Sequence, residues 1–559
     1  MNRQIFTWEI PLYRLKSKEL WWEWFYVLIL FCAAIFLFSL NLGALPLRDW
    51  DEGTFAQVAK EIYESSFSHW HWLFPTIWQE PYLNKPPLIH SLTAVVYNFL
   101  GVSEFSTRII GATLTASSVP LLYLLARELF LPRYYALFSS LAYLTMMPVI
   151  RHGRLAMLDG ATLCFQLLLF LFLLKTRRDL RWAFPVGLSL ALICLTKGWM
   201  MGVLLGAIAF LFLLWDTPRL LTSFYLWSGI ILGVLPVVAW YAAQYLYYGE
   251  TFIHTAIQEQ SLNRVFTAVE GNQGAVWYYL VELIKYPYPW IFLALWGFKL
   301  AWENLNWSWS KFILISSSIY LIVISLMGTK LPWYVMPIYP SLALAVGVAL
   351  GEVKSLPSYI SYPSAWKQFF SLLTVAIMGG FIYFAITKPE DQHLLTIFIL
   401  LFITFLSVTI LLRKKDQQFI PVLFWGMFVS LMVFFSSNHW LWELNEAFAV
   451  KPVANLVNEF VPKDKKVYIN FDYERPSLNF YSERQVTAIN EEELKQLIKS
   501  PNYLLVNHKI LESLNLVSDN DNIYCNLSDN IPEQSTHSFN CFEAVTKPKS
   551  NFTLLKPIQ

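Results

Sequence analysis

The stretch 23–45, EWFYVLILFCAAIFLFSLNLGAL, decides the fold class. Its single charge stands at the first position, and the apolar run behind it is long enough to cross the roughly 30 Å hydrocarbon core of a bilayer. Residues 46–63 follow directly, PLRDWDEGTFAQVAKEIY, with Asp51 and Glu52 side by side. Carboxylates are costly in hydrocarbon and cheap at its rim, so this pair belongs at a membrane surface. Chemistry on a lipid-borne substrate takes place at such a surface, which suggests an enzyme rather than a channel.

The same length criterion, carried along the chain, finds further apolar runs near 106–126, 134–150, 160–175, 182–196, 198–215, 224–246, 278–301, 312–327, 333–351, 368–387, 393–412 and 419–437. The expectation is a multispanning α-helical membrane protein with about thirteen transmembrane helices. Composition agrees: 56% of the 559 residues are hydrophobic, 17% aromatic and only 14% charged, and the mean hydropathy is +0.45. A water-soluble globule is excluded. A net charge of +2, with the basic residues dispersed, argues against a nucleic-acid partner.

Lys and Arg in short loops mark the cytoplasmic face. Arg14, Lys16 and Lys18, then Lys175, Arg177 and Arg178, then Arg413, Lys414 and Lys415 all fall on one side. The N-terminus is then cytoplasmic and the tail beyond about residue 440 extracytoplasmic. The first apolar run is of spanning length and lacks a small-residue cleavage site, so no cleavable signal peptide is expected. Against the charge rule, Arg151, His152, Arg154, Lys197, Arg264 and Lys330 fall on the outer face, together with Lys85. Snorkelling to headgroups accounts for any one of them. Several on one face point to a shared anionic ligand, and a lipid phosphate fits. Asp49, Asp51, Glu52, Asp159 and Glu270 share that face. Cations to hold a phosphate leaving group, opposite a carboxylate able to take a proton or orient a nucleophile, are the minimal kit for glycosyl transfer from a lipid phosphate.

Phe55, Val58, Ala59 and Ile62 recur at helical spacing behind Asp51, which reads as an interfacial helix with its apolar face toward the membrane. Asp51 and Glu52 would head that helix, where a cap and first-turn charge is the plain alternative to catalysis. Lys85-Pro86-Pro87 opens the next apolar segment, with prolines in its first turn. The chain divides into a transmembrane domain, 1–440, and a small soluble domain, 441–559. In the latter, strand patterns around Val467–Phe471 and Tyr503–Val506 and a helical pattern from Glu491 to Ile498 predict an α/β fold. Cys32, Cys164 and Cys194 lie in apolar runs as small hydrophobes; Cys525 and Cys541 are the two in the tail, and a disulfide between them would need an oxidising compartment. No Cys/His spacing suits zinc, and no metal ligand is assigned.

Asp51-Glu52 with Phe55-Ala56, Asn84-Lys85-Pro86-Pro87-Leu88, Arg154-Leu155-Ala156-Met157-Leu158-Asp159, Thr196-Lys197-Gly198 and Lys330-Leu331-Pro332-Trp333-Tyr334-Val335-Met336-Pro337 occur in this order. Together they resemble the bacterial protein O-mannosyltransferase and lipid A aminoarabinose transferase group of the GT-C superfamily, well over residues 20–350 and by architecture beyond. The resemblance implies a polyprenyl-phosphate-linked sugar as donor, a lipid or protein acceptor, and an outward-facing site in a bacterial inner membrane. It places Asp51 as the central catalytic residue, with Glu52 and Asp159 as supporting carboxylates. Lys85 and Arg264 fall where the group holds the donor phosphate; Arg154, Lys197 and Lys330 are assigned there with them. No cofactor is expected, with a divalent metal left open. The aminoarabinose branch tends to carry Glu where this chain has Asn84, which leaves the sugar and acceptor open. A transporter or flippase of a lipid-linked sugar is the alternative; it should show charges near span centres and inverted repeats, and neither stands out.

Overall fold

The computed structural model describes residues 17–49, 51–65, 70–269, 271–357, 360–441, 448–507, 511, 517–519, 523–525, 541–546 and 552–557. Two compact units are built from them. One comprises residues 1–43, 66–75 and 82–440; the other comprises 44–65, 76–81 and 441–559.

The first unit is a helical bundle. Among the described residues eleven helices are long and apolar enough to cross a membrane: Leu20–Ser39, Glu104–Leu129, Leu158–Thr176, Leu180–Lys197, Trp199–Asp216, Phe224–Tyr248, Ser308–Leu326, Pro332–Ser355, Ser364–Thr387, Gln392–Arg413 and Phe419–Ser436. The two other expected runs are each broken. Residues 134–150 fall in Arg133–Leu144 and Met147–Arg154, with Pro148 opening the second piece. Residues 278–301 fall in Tyr278–Lys285 and Trp290–Glu303, with Pro287 and Pro289 between. Proline removes an N–H donor and blocks the preceding turn, so neither run continues as one helix.

Ion pairs show where these broken runs lead. Glu128, near the end of Glu104–Leu129, lies 2.7 Å from Arg178, just past the end of Leu158–Thr176. Two long helices that finish at the same end require the chain between them to return, so Arg133–Arg154 runs the length of the bundle. Asp216, ending Trp199–Asp216, likewise meets Arg177 at 2.7 Å and the Ser308 hydroxyl at 2.7 Å. Since Phe224–Tyr248 leaves that end, Tyr278–Glu303 brings the chain back. Glu23 completes this layer, accepting from the Tyr123 hydroxyl at 2.7 Å and Arg133 Nε at 2.7 Å and pairing with Arg127.

The helix Tyr339–Ser355 is the buried centre, with Ala343, Ala345, Ala349 and Leu350 fully enclosed. Small residues let backbones approach: a Cβ on Gly297 would run into the Ala345 carbonyl, and one on Gly347 into Ser139.

The second unit carries a seven-stranded sheet in the order β4-β3-β5-β9-β8-β7-β6. Its strands are β3 Val467–Asn470, β4 Val486–Ile489, β5 Tyr503–Asn507, β6 Val517–Asp519, β7 Ile523–Cys525, β8 Cys541–Val545 and β9 Phe552–Pro557; β1 Thr76–Ile77 and β2 Glu80–Pro81 form a separate hairpin. β3 pairs parallel with β4 and β5, and the rest of the sheet is antiparallel. Val453, Leu456 and Val457 of the helix Val450–Phe460 close over Val467, Ile469, Leu505 and Leu554. The small α/β domain expected of the tail is present. Backbone pairing sets Cys525 opposite Cys541; their side chains lie outside the described residues.

The helix Asp51–Glu64 belongs to this second unit. Phe55, Val58, Ala59 and Ile62, expected to face a membrane, are buried in protein. On another side Ala56 packs with Leu47 and Phe480. Helical spacing identifies an apolar face, and lipid and protein bury such a face equally well.

Candidate active site

In the bundle, Asp159 lies in the first turn of Leu158–Thr176, where the helix dipole favours its anion. It is 4% exposed, and Lys197, the last residue of its helix, donates to its Oδ1. Gly198 follows at φ 108°, a left-handed conformation that glycine adopts without strain; it ends one helix and starts the next, which aims Lys197 at Asp159. The Lys197 ammonium also stands 5.5 Å from the centre of the Tyr334 ring. The Tyr334 hydroxyl in turn accepts from Arg264 Nη1 at 3.4 Å. Asp159, Lys197, Tyr334 and Arg264 therefore form one line of alternating character, assembled from four segments. Sequence reasoning did not single out Tyr334, although it lies four residues beyond Lys330 in the same motif; an uncharged ring beside Trp333 gives no signal against the apolar background.

Lys330 is placed otherwise than on this line. Its ammonium donates to the carbonyls of Ile324, Ser325 and Met327 at 3.1, 2.7 and 2.6 Å, capping Ser308–Leu326. The backbone around it pairs with the Arg264 segment: Gly328 N donates to Val265 O at 2.7 Å, Thr329 N to Arg264 O at 3.2 Å and Lys330 N to Asn272 O at 3.0 Å. Lys330 thus fixes the loop that carries Arg264.

Arg154 is fully buried. It donates to Leu37 O at 3.0 Å and to Leu40 O, and its guanidinium lies 4.7 and 4.5 Å from the Phe435 and Trp440 rings. Neighbouring Arg108 and Arg151 reach Leu42 O at 3.0 Å and Trp440 O at 2.9 Å. Arg154 and Arg108 thus anchor the end of the first helix and the turn after it, and Arg151 holds the Trp440 backbone. Lys85 lies on another element, half-buried at the turn before Leu88–Leu100, beside exposed Asn84.

In the second unit, Asp51 opens its helix half-exposed, with Arg48 Nη2 3.6 Å from Oδ2. Glu52 is fully buried and accepts from Arg48 N at 2.8 Å. That bond ties down the turn in front of the helix, a capping role. Glu61 anchors the hairpin, accepting from Thr76 Oγ1 at 2.7 Å and Trp78 N at 2.6 Å. Glu270 lies outside the described residues. Among the described residues no three His, Cys, Asp or Glu side chains form a group able to hold a metal ion.

Residues 84–241 match the family described as dolichyl-phosphate-mannose-protein mannosyltransferase. An undecaprenyl phosphate-alpha-4-amino-4-deoxy-L-arabinose arabinosyl transferase of Pseudomonas fluorescens is 28% identical over 397 residues, 68% of this chain and 70% of its own length. An uncharacterised protein of Aquifex aeolicus is 25% identical over 484 residues, 84% of this chain and 89% of its own. The crystal structure of ArnT from Cupriavidus metallidurans bound to undecaprenyl phosphate superposes with a TM-score of 0.73 at 16% identity, covering 97% of this chain and 98% of that one. The family match and the fold both bear out the resemblance read from the sequence.

Proposed function

We propose that this chain, a GT-C-type membrane glycosyltransferase of the protein O-mannosyltransferase and lipid A aminoarabinose transferase group, transfers a hexose or pentose from undecaprenyl phosphate to an acceptor at the outer face of a bacterial inner membrane. The observation that carries this reading is the line Asp159–Lys197–Tyr334–Arg264 in a bundle built to span a membrane. Fixed cations beside a tyrosine hydroxyl suit a phosphate whose charge grows as it leaves.

Arg264 and the Tyr334 hydroxyl bind phosphate oxygens, and Lys85 adds a point charge from its proline-fixed turn. Asp159 holds Lys197 in place and keeps the local charge balanced. With a hydroxyl acceptor, its oxygen bonds to the anomeric carbon as the bond to phosphate oxygen breaks; the proton passes to Asp51, and undecaprenyl phosphate departs carrying the electron pair. With a phosphate acceptor, already ionised, Asp51 needs no proton and stabilises positive charge developing on the sugar. Glu52 and Lys330 act through the turns they hold.

Purified protein incubated with radiolabelled undecaprenyl-phosphate sugars, together with extracted envelope lipids or peptides, should move label to one acceptor class. Donor consumed without acceptor labelling, or label carried across a vesicle membrane with the donor intact, would defeat the reading.

A further inference from the structure

Open α/β sheets hold ligands beyond the carboxyl ends of their parallel strands. In this protein the loop at the end of β3 is occupied by the chain itself. Arg475, 2% exposed, reaches from that loop to Asp49, its Nε 2.6 Å from Oδ2. Arg475 Nη1 also donates to Phe448 O at 2.8 Å, and its guanidinium lies 4.2 Å from the Phe448 ring. The other Asp49 oxygen accepts from the Ser477 hydroxyl and, at 3.3 Å, from Ser477 N. Asp49 and Arg475 are 426 positions apart.

Asp49 is part of the turn that carries Asp51. Asp51 N donates to Asp49 O at 2.8 Å, and Gly53 N to Arg48 O at 3.0 Å. Gly53 lies flat on the next segment: a Cβ there would stand 2.5 Å from Ser477 N. The flanks are fastened to the same stretch, Leu47 N to the Tyr481 hydroxyl at 2.8 Å and Lys60 to Glu483 at 2.8 Å. Apolar packing of Ala56 on Phe480 would suffice to hold the helix; it does not set rotation about the turn. Charge-assisted bonds to both oxygens of one carboxylate do. Buried ion pairs add less net stability than directional constraint.

We propose that Asp49, Arg475 and Ser477 are positioning residues for Asp51, and that the domain closing the chain exists in part to orient the carboxylate turn. This rests on the assignment of Asp51 as the proton acceptor or charge stabiliser.

The test uses the full-length protein in lipid nanodiscs, with D51N, D49N, R475Q, S477A and the double variant D49N/R475Q. Turnover, donor KM and amide hydrogen exchange over residues 47–58 are measured on each. R475Q and D49N should each lower kcat about 10- to 100-fold, the scale of a small misplacement, with donor KM unchanged and faster exchange confined to 47–58. The double variant should lose no more than the worse single. Arg475→Lys keeps the charge without the two-point geometry and should recover only part of the turnover. Wild-type kcat in folded R475Q, or a loss confined to KM, overturns the proposal. Should R475Q fail to fold, full turnover in both S477A and Arg475→Lys overturns it equally. An active D51N removes the catalytic assignment and this proposal together, whereas a dead D51N beside an active R475Q removes the clamp alone.

Discussion

Lys197 donates directly to the Asp159 carboxylate, joining the end of one bundle helix to the first turn of another. Both side chains are nearly enclosed, 12% and 5% exposed. A buried pair broken on one side leaves an uncompensated charge. Lys197→Met and Asp159→Asn should each destabilise the bundle by about 3 kcal/mol, and the double variant by less than the sum. All three should lose transfer activity. Tryptophan fluorescence during denaturant titration in detergent reads the first effect, and the double variant separates folding from function: restored stability with activity still lost places the pair at the chemistry.

Tyr334 and Arg264 give a graded expectation. Tyr334→Phe keeps the ring beside Lys197 and deletes only the hydroxyl, so donor affinity should fall by about 1 kcal/mol, roughly fivefold. Arg264→Gln removes a charge-assisted contact and should cost about 1.5 to 3 kcal/mol. Lys85→Met belongs with the second. Equilibrium binding of an undecaprenyl phosphate analogue ranks them; equal, negligible effects would remove the phosphate from this line.

What the sequence made legible follows the physics of each signal. Apolar length reveals spans, because hydrocarbon thickness is fixed, and Asp159, Lys197 and Arg264 were singled out because charge at the ends of spans, against the positive-inside count, is rare enough to notice. Arg154 and Lys330 stood out for the same reason, yet the structure spends them on backbone carbonyls; charge alone does not tell a ligand site from a helix end. The broken runs read as single spans because hydropathy ignores the N–H that Pro148, Pro287 and Pro289 lack. The membership of Asp51–Glu64 in the second unit was invisible, since it depends on pairings across more than four hundred residues, such as Asp49 with Arg475.

Glu483 supplies a pH expectation for the second unit. Hydrogen bonds from Lys463 and Lys60, each at 2.8 Å, hold its carboxyl down at about 2 against an ordinary 4.5. A depressed carboxyl pKa contributes stability above the unfolded value and loses it as the pH falls through the folded one. The contribution is therefore complete above about pH 4.5 and fades toward pH 2. Its size is modest, because Glu483 is 41% exposed and solvent screens the pair. Protection factors in Asp51–Glu64, taken relative to the intrinsic amide exchange rate at each pH, should fall through that window in the wild type, and Glu483→Gln should show the lower protection already at pH 7 with a flatter response to acid.

Orientation is the remaining expectation, and the bundle sharpens its test. Glu128 with Arg178 and Asp216 with Ser308 mark one end of the bundle, and the positive-inside count assigns that end to the cytoplasm. Asn84 and Lys414 are both exposed and fall on opposite sides by this assignment. In a background with all five native cysteines replaced, Asn84→Cys should react with an impermeant maleimide added to intact spheroplasts, and Lys414→Cys only after permeabilisation. The inverse pattern would put the Lys85 turn in the cytoplasm, where soluble nucleotide sugars are at hand, and a lipid-linked donor would lose its physical rationale. Labelling of both sites would mean that a broken run, Arg133–Arg154 or Tyr278–Glu303, turns back within the membrane, although the ion pairs demand that each runs the length of the bundle.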